Sequence, residues 1–209
     1  MIDFKKELKE EYLQSEKPII INVSKTNYLA VRGTGNPNDE NGEYISSIGY
    51  LYGIIYTIKM SYKTNYKVKD FDQFVAPPLE GFWWQEGIDG VDYLNKNKFS
   101  FISIIRLPSF VTKEVFEWAK VEAEKKKKTD FSKVEYLEYE EGLCVQCMHK
   151  GSFDDELKTI EKMHKFMIDN GYSLDISNQR YHHEIYLSDA RKVEKDKLKT
   201  IIRHPIKKI

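Results

Sequence analysis

The chain has 209 residues, 41% apolar and 32% charged, and its mean hydropathy of −0.58 is that of a folded globular protein rather than a disordered chain. Thirty-three basic and thirty-three acidic side chains cancel to a formal charge of zero, which argues against nucleic acid or an anionic membrane as a partner. The N-terminus MIDFKKELKE lacks the apolar stretch of a signal peptide, no apolar run approaches the ~20 residues of a membrane span, and the two cysteines are too few for a disulfide framework. A cytoplasmic location is expected. Residues 3–17, with Phe4, Leu8 and Tyr12 at fourth-residue spacing before Pro18, predict an N-terminal helical extension over 1–18. Ile19–Arg32 reads as a strand, closed by the turn Gly33-Thr-Gly-Asn-Pro37.

From Glu43 to about Tyr62, Ile45, Ile48, Tyr52, Ile55 and Tyr56 recur at helical intervals, and Gly49 and Gly53, four apart, suggest close packing of that helix against a sheet. Leu79–Gln85 and Phe99–Arg106 predict an antiparallel pair around a turn near Asp89-Gly90. Thr112 is the expected N-cap of a helix ending in Lys125–Lys128, where four lysines complement the helix dipole and need no nucleic acid to explain them. Strands over 134–139 and 143–150 are predicted to join at Glu141-Gly142. Ser152 then opens a helix closed by Asn170-Gly171, and 172–176 with 181–187 form a last strand pair. The order strand, turn, helix, strand, strand therefore occurs twice, at about 26–107 and 142–189. Residues 191–209, with eight positive and two negative side chains, read as a basic tail.

Aromatic residues make up 13% of the chain, enough to wall an apolar pocket with polar tips inside it. Alternation places His182, Glu184 and Tyr186 on one face of the last strand, with Tyr181, His183, Ile185 and Leu187 on the other. A carboxylate flanked by rings attracts cationic ligands and, once desolvated, serves as a general base. The same alternation puts Glu80, Phe82 and Trp84 on one face of their strand and Trp83 on the other, so only one of the two tryptophans enters a common cleft. Cys144 and Cys147 point to opposite faces of a strand and lack a second ligand pair, so no metal or other cofactor is expected. Nucleotide-binding and serine-hydrolase motifs are absent.

Tyr181-His-His-Glu-Ile-Tyr-Leu187, Pro77-Pro-Leu-Glu-Gly-Phe-Trp-Trp84, the Arg106-Leu-Pro-Ser-Phe-Val-Thr112 junction and the duplicated order together resemble the GyrI-like small-molecule-binding domain over about residues 19–190. The likeness is to its stand-alone branch, some members of which are hydrolases of cyclopropanoid compounds. The resemblance implies an α+β fold of two pseudo-symmetric β-α-β-β repeats with antiparallel strands and a ligand cleft between them. It also implies that Glu184, matching the acidic residue of related regulators, recognises cationic aromatic ligands. On that basis the expected function is binding of an aromatic small molecule and hydrolysis of a cyclopropane ring. Glu184 is the expected base, Glu80 a second carboxylate on the same water, and Tyr139 the donor to the carbonyl. Trp83, Trp84, Phe82, Tyr52, Tyr56, Tyr186 and His182 are the expected ligand contacts. The alternatives are a non-catalytic sequestering protein and a regulatory subunit docking on a partner such as gyrase.

Overall fold

The computed structural model describes residues 1–88, 92 and 94–209; the turn expected near Asp89-Gly90 lies outside them. In chain order the elements are α1 (Phe4–Glu7), β1 (Ile19–Val23), β2 (Thr26–Thr34), α2 (Glu43–Lys59), β3 (Glu80–Gln85), β4 (Phe99–Arg106), α3 (Lys113–Lys127), β5 (Glu135–Tyr139), β6 (Gly142–Lys150), α4 (Leu157–Asp169), β7 (Tyr172–Leu174), β8 (His182–Tyr186) and β9 (Lys199–Lys208). All pairings between these strands are antiparallel, and they give an α+β fold built on one sheet of order β1-β6-β9-β8-β3-β4-β2-β5, with β7 paired to β9.

That order reads the same from both ends. One half runs β5-β2-β4-β3 and the other β1-β6-β9-β8, and they join where β3 pairs with β8. In each half a helix covers the same face of the sheet. Against α2 lie Leu29, Val31 and Ile105, and against Met163 and Met167 of α4 lie Val145, Cys147 and Ile202. The two central strands, β3 and β8, lie between the stretches that α2 and α4 cover, and the strip of sheet they form is the candidate groove.

Several expectations are corrected. The predicted tail contains β9, which runs between β6 and β8 with Thr200–Ile206 buried. It is the partner of β4 in the duplicated order, so the second copy extends through β9. Charge hid this strand, because Arg203 and His204 are buried only by virtue of distant polar partners. The predicted terminal hairpin is therefore absent: β7 and β8 each pair with β9 instead. Nor do β5 and β6 pair with one another, since β5 extends β2 and β6 lies beside β9.

The N-terminal helix is limited to Phe4–Glu7. Beyond it the backbone carbonyls that a helix would consume accept from elsewhere, Glu10 O from Gln146 Nε2 at 2.7 Å and Glu11 O from Arg203 Nη2 at 2.9 Å. Phe4, Leu8 and Tyr12 nonetheless share a side, packing on Ile185 and Ile201 across the face that the helices leave open. The single expected strand over 19–32 is two, because β1 joins β6 while β2 joins β4. Gly53 does mark a close approach, but to Phe131 rather than to the sheet: a Cβ there would lie 2.6 Å from that ring, whereas one at Gly49 would meet nothing. Among the described residues no helix is long and apolar enough to cross a membrane.

Candidate functional site

The pairing of β3 with β8 sets Gly81 opposite Glu184 and Trp83 opposite His182. Because both strands alternate, Trp83 shares the helix-side face with His182, Glu184 and Tyr186, whereas Glu80 and Phe82 share the other face with His183 and Ile185. On the helix side the Trp83 indole donates to the Tyr186 hydroxyl at 2.8 Å. Tyr186 also interacts with the Glu184 carboxylate and the Tyr44 hydroxyl, and burial first, then the Glu184 charge, pushes its hydroxyl well above the usual tyrosine range. It therefore stays protonated and can donate.

Tyr44 lies in the first turn of α2, its ring 5.1 Å from that of Trp83. From the other side Phe153 meets Tyr186 at 5.7 Å, and Glu156, immediately before α4, brings a buried carboxylate to Glu184 and His182. The starts of both helices thus converge on one aromatic and acidic cluster. Trp83 and His182 form its buried floor, and Glu184, Tyr186 and Tyr44 reach its partly exposed surface.

Gly81 is required here. A Cβ at this position would stand 2.7 Å from the Trp83 indole nitrogen and 3.2 Å from the Tyr186 hydroxyl, between the partners of that bond. Gly81→Ala should break it, a loss of about 0.5–1.5 kcal/mol. Ligand affinity is expected to fall up to about tenfold in a fluorescence titration while the fold persists.

Glu156, His182 and Glu184 offer ligand atoms within 4.8 Å of one another, the set among the described residues that could hold a cation. However, His182 Nε2 is 2.9 Å from Glu184 Oε1 and His182 Nδ1 is 2.7 Å from His204 Nε2. Both imidazole nitrogens are engaged, and 2.9 Å is shorter than the ~3.3 Å separating neighbouring ligands of a tetrahedral ion with bonds of ~2.0–2.1 Å. The geometry is that of a hydrogen-bonded imidazole.

The opposite face carries a separate network. His183 Nδ1 meets Glu141 at 2.9 Å and Nε2 meets Glu80 at 3.0 Å. Carboxylates only accept, so both ring nitrogens donate and His183 is an imidazolium; burial opposes that charge, but Glu141 and Glu80 outweigh it and raise the pKa. Arg203 Nη1 donates to Glu141 at 2.6 Å and Tyr12 donates to Glu80 at 3.1 Å. Burial alone would raise Glu141, yet Arg203 and His183 together hold it at about 2.

The residues expected at one site are therefore divided. Glu184, His182, Tyr186 and Trp83 come together. Glu80, Phe82, Trp84 and Tyr139 lie on the other face, where Phe82 packs on Tyr139 and His183, and Trp84 on Tyr181. Glu80 cannot share a water with Glu184, and the Tyr139 hydroxyl donates to the Gln179 carbonyl instead. Tyr52 and Tyr56 stack along α2, with Tyr52 raised by burial and then by the neighbouring Tyr56 and Asp189, the latter from the segment after β8. Tyr44, Glu156 and His204 escaped the sequence reading. The turn of Gly42 before Tyr44 and the Ser152 cap before Glu156, at matching places in the two repeats, are the signal that marks two of them.

The profile of the GyrI-like small molecule binding domain matches residues 16–207. The chain belongs to the GyrI-like family. A crystal structure from Listeria innocua described as a hydrolase is similar to this GyrI-like domain at 45% identity and a TM-score of 0.91, covering 99% of this chain and 100% of that one. A second Listeria innocua structure, of an uncharacterized conserved protein, matches at 47% identity and 0.93 over 99% and 100%. The C-terminal domain of EcmrR, at 13% identity and 0.54 over 92% and 98%, shares the fold of the GyrI-like domain. No curated protein matches significantly.

Proposed function

We propose that this GyrI-like domain binds an aromatic small molecule between α2 and α4 and opens its strained cyclopropane ring with water. The observation that carries this reading is the partly exposed Glu184 carboxylate, held by His182 and neighboured by the Tyr186 hydroxyl, against the rings of Trp83 and Tyr44. The 45% identity over nearly the whole chain to a structure described as a hydrolase supports turnover as well as binding.

A cyclopropane conjugated to a dienone needs two things from a protein: water delivered to a ring carbon, and a donor at the carbonyl where charge develops. Glu184 removes the proton of the water. Tyr186 donates to the carbonyl oxygen, in place of Tyr139. Trp83 and Tyr44 hold the planar ring system, each aromatic pair contributing about 0.5–1.5 kcal/mol beyond area burial.

The deciding experiment mixes the protein with a tenfold excess of spiro[2.5]octa-4,7-dien-6-one and follows appearance of the phenol product. An enzyme clears the excess, whereas a sequestering protein stops at its own concentration. Binding itself is expected to quench fluorescence through Trp83. Trp83→Phe should abolish most of the ligand-dependent change, and Trp84→Phe, on the far face against Tyr181, should leave it intact. The reverse pattern would put the ligand on the wrong side of the sheet.

A further inference from the structure

An unbroken line of imidazoles leads away from Glu184. His182 Nε2 is 2.9 Å from Glu184 Oε1, His182 Nδ1 is 2.7 Å from His204 Nε2, and His204 Nδ1 is 2.9 Å from His164 Nε2. These rings come from β8, β9 and α4. His182 and His204 are buried, and His164 is partly exposed on α4.

The carboxylate fixes the direction of every bond. With Glu184 ionised and one proton on each ring, His182 donates from Nε2 and presents a bare Nδ1, His204 donates to it from Nε2, and His164 likewise donates from Nε2. The pattern needs only one proton on each ring, and burial first, then His182 and His164, holds His204 well below the usual histidine range. The basic nitrogen left over is His164 Nδ1, at the end of the chain nearest solvent.

We propose that His182, His204 and His164 form a proton-conducting chain that equilibrates Glu184 with solvent from the α4 side while a ligand covers the groove. Inward, a solvent proton binds His164 Nδ1, His164 passes its Nε2 proton to His204 Nδ1, His204 passes its own to His182 Nδ1, and His182 Nε2–H protonates Glu184. Each ring ends neutral as the other tautomer. Outward passage reverses every transfer, releases one proton to solvent and restores both the carboxylate and the starting tautomers. No electrons move. The chain thus returns Glu184 to its ionised form, ready to act as base, when the ligand blocks the front. The other groups facing this end are the Glu156 carboxylate ahead of α4, the Tyr186 hydroxyl of β8 and the Tyr44 hydroxyl of α2; none lies between the rings.

The inference rests on Glu184 being the base, but its test does not need turnover. In the full-length protein labelled with 15N-histidine and saturated with the phenol product of the spiro-dienone, so that the front of Glu184 is covered, exchange of the His182 ring proton with water is measured by NMR for the parent, His164→Ala and His164→Gln. The Gln amide can still donate to His204 Nδ1 but cannot pass a proton. Conduction predicts exchange slowed about tenfold or more in both variants, with added imidazole restoring the rate in His164→Ala. A merely structural role predicts that Gln preserves the parent rate. Parent-like exchange in both variants, or rescue by Gln, overturns the chain and leaves Glu184 untouched as the base. Parent-rate turnover of the spiro-dienone by Glu184→Gln would instead remove the base and leave the exchange result standing.

Discussion

Glu184→Gln is expected to leave ligand binding within a few-fold of the parent and to lower kcat by about 10²–10⁴, the usual worth of a positioned general base. The substitution keeps the shape of the side chain and an amide oxygen that still accepts from His182 Nε2, so the 2.9 Å contact and the aromatic floor survive. What disappears is the capacity to take a proton from water. KM should hardly move, because stacking on Trp83 and Tyr44 is the same in ground and transition states. Single-turnover kinetics with the spiro-dienone, paired with a binding titration, separate the two quantities; unchanged kcat would transfer the base to another group, and Glu156 is the nearest carboxylate.

The largest stability effect is expected at Arg203. Its guanidinium is buried and spends its donors on Glu141, Gln146 and the Glu11 carbonyl at 2.6, 3.0 and 2.9 Å. Arg203→Met leaves Glu141 buried with only His183 to balance it, which costs about 3–5 kcal/mol. For a chain of this length each kcal/mol lowers Tm by about 2–4 °C, so a drop of roughly 6–20 °C should be seen by calorimetry. Adding Glu141→Gln to the same chain should recover part of the loss, since the orphaned charge is gone. The pH dependence has a definite sign. Glu141, held at about 2 against its ordinary 4.5, stabilises fully above 4.5 and progressively less as pH falls toward 2. His183, raised above its ordinary 6.5, stabilises below 6.5 and loses that contribution as pH rises through its folded value. In Glu141→Gln both limbs should shrink, the remaining acid dependence coming from partly exposed carboxylates such as Asp189 and Asp175 that are also lowered, which urea unfolding at a series of pH values will show.

Alternation along β8 was enough to group His182, Glu184 and Tyr186, because a strand leaves its side chains no other choice. Which residues of β3 stand beside them was not legible. A one-residue slip of that pairing would have set Glu80 and Phe82 opposite Glu184 and His182 in place of Gly81 and Trp83. The expectation that the carboxylates cooperate, and the choice of Tyr139, fail for this one reason. His182 and His183 are indistinguishable as letters, yet one has an imidazole and a carboxylate as partners and the other two carboxylates, so one stands in a line of imidazoles and its neighbour between two acids. Apart from Glu184 on the same strand, those partners come from β9, β3 and the residue before β6. Local pattern carries no trace of contacts of that range, and for the same reason the buried Arg203 and His204 disguised β9 as a tail.

The two halves of the sheet meet over four residue pairs of β3 and β8, whereas β2 with β4 and β6 with β9 match over seven each. Each half also has its own helix and apolar cluster. This midline is a short seam between two separately cored halves, bridged by the His183–Glu80 and Trp83–Tyr186 contacts, and the candidate groove runs along it with Trp83 on one bank and Glu184 on the other. An occupant touching both banks acts as a suture. At a hundredfold excess over Kd it adds about 2.7 kcal/mol to the folded state, and that gain is placed across the joint rather than within either half. The halves should accordingly melt more nearly together when the groove is filled, narrowing the calorimetric transition as well as raising its midpoint.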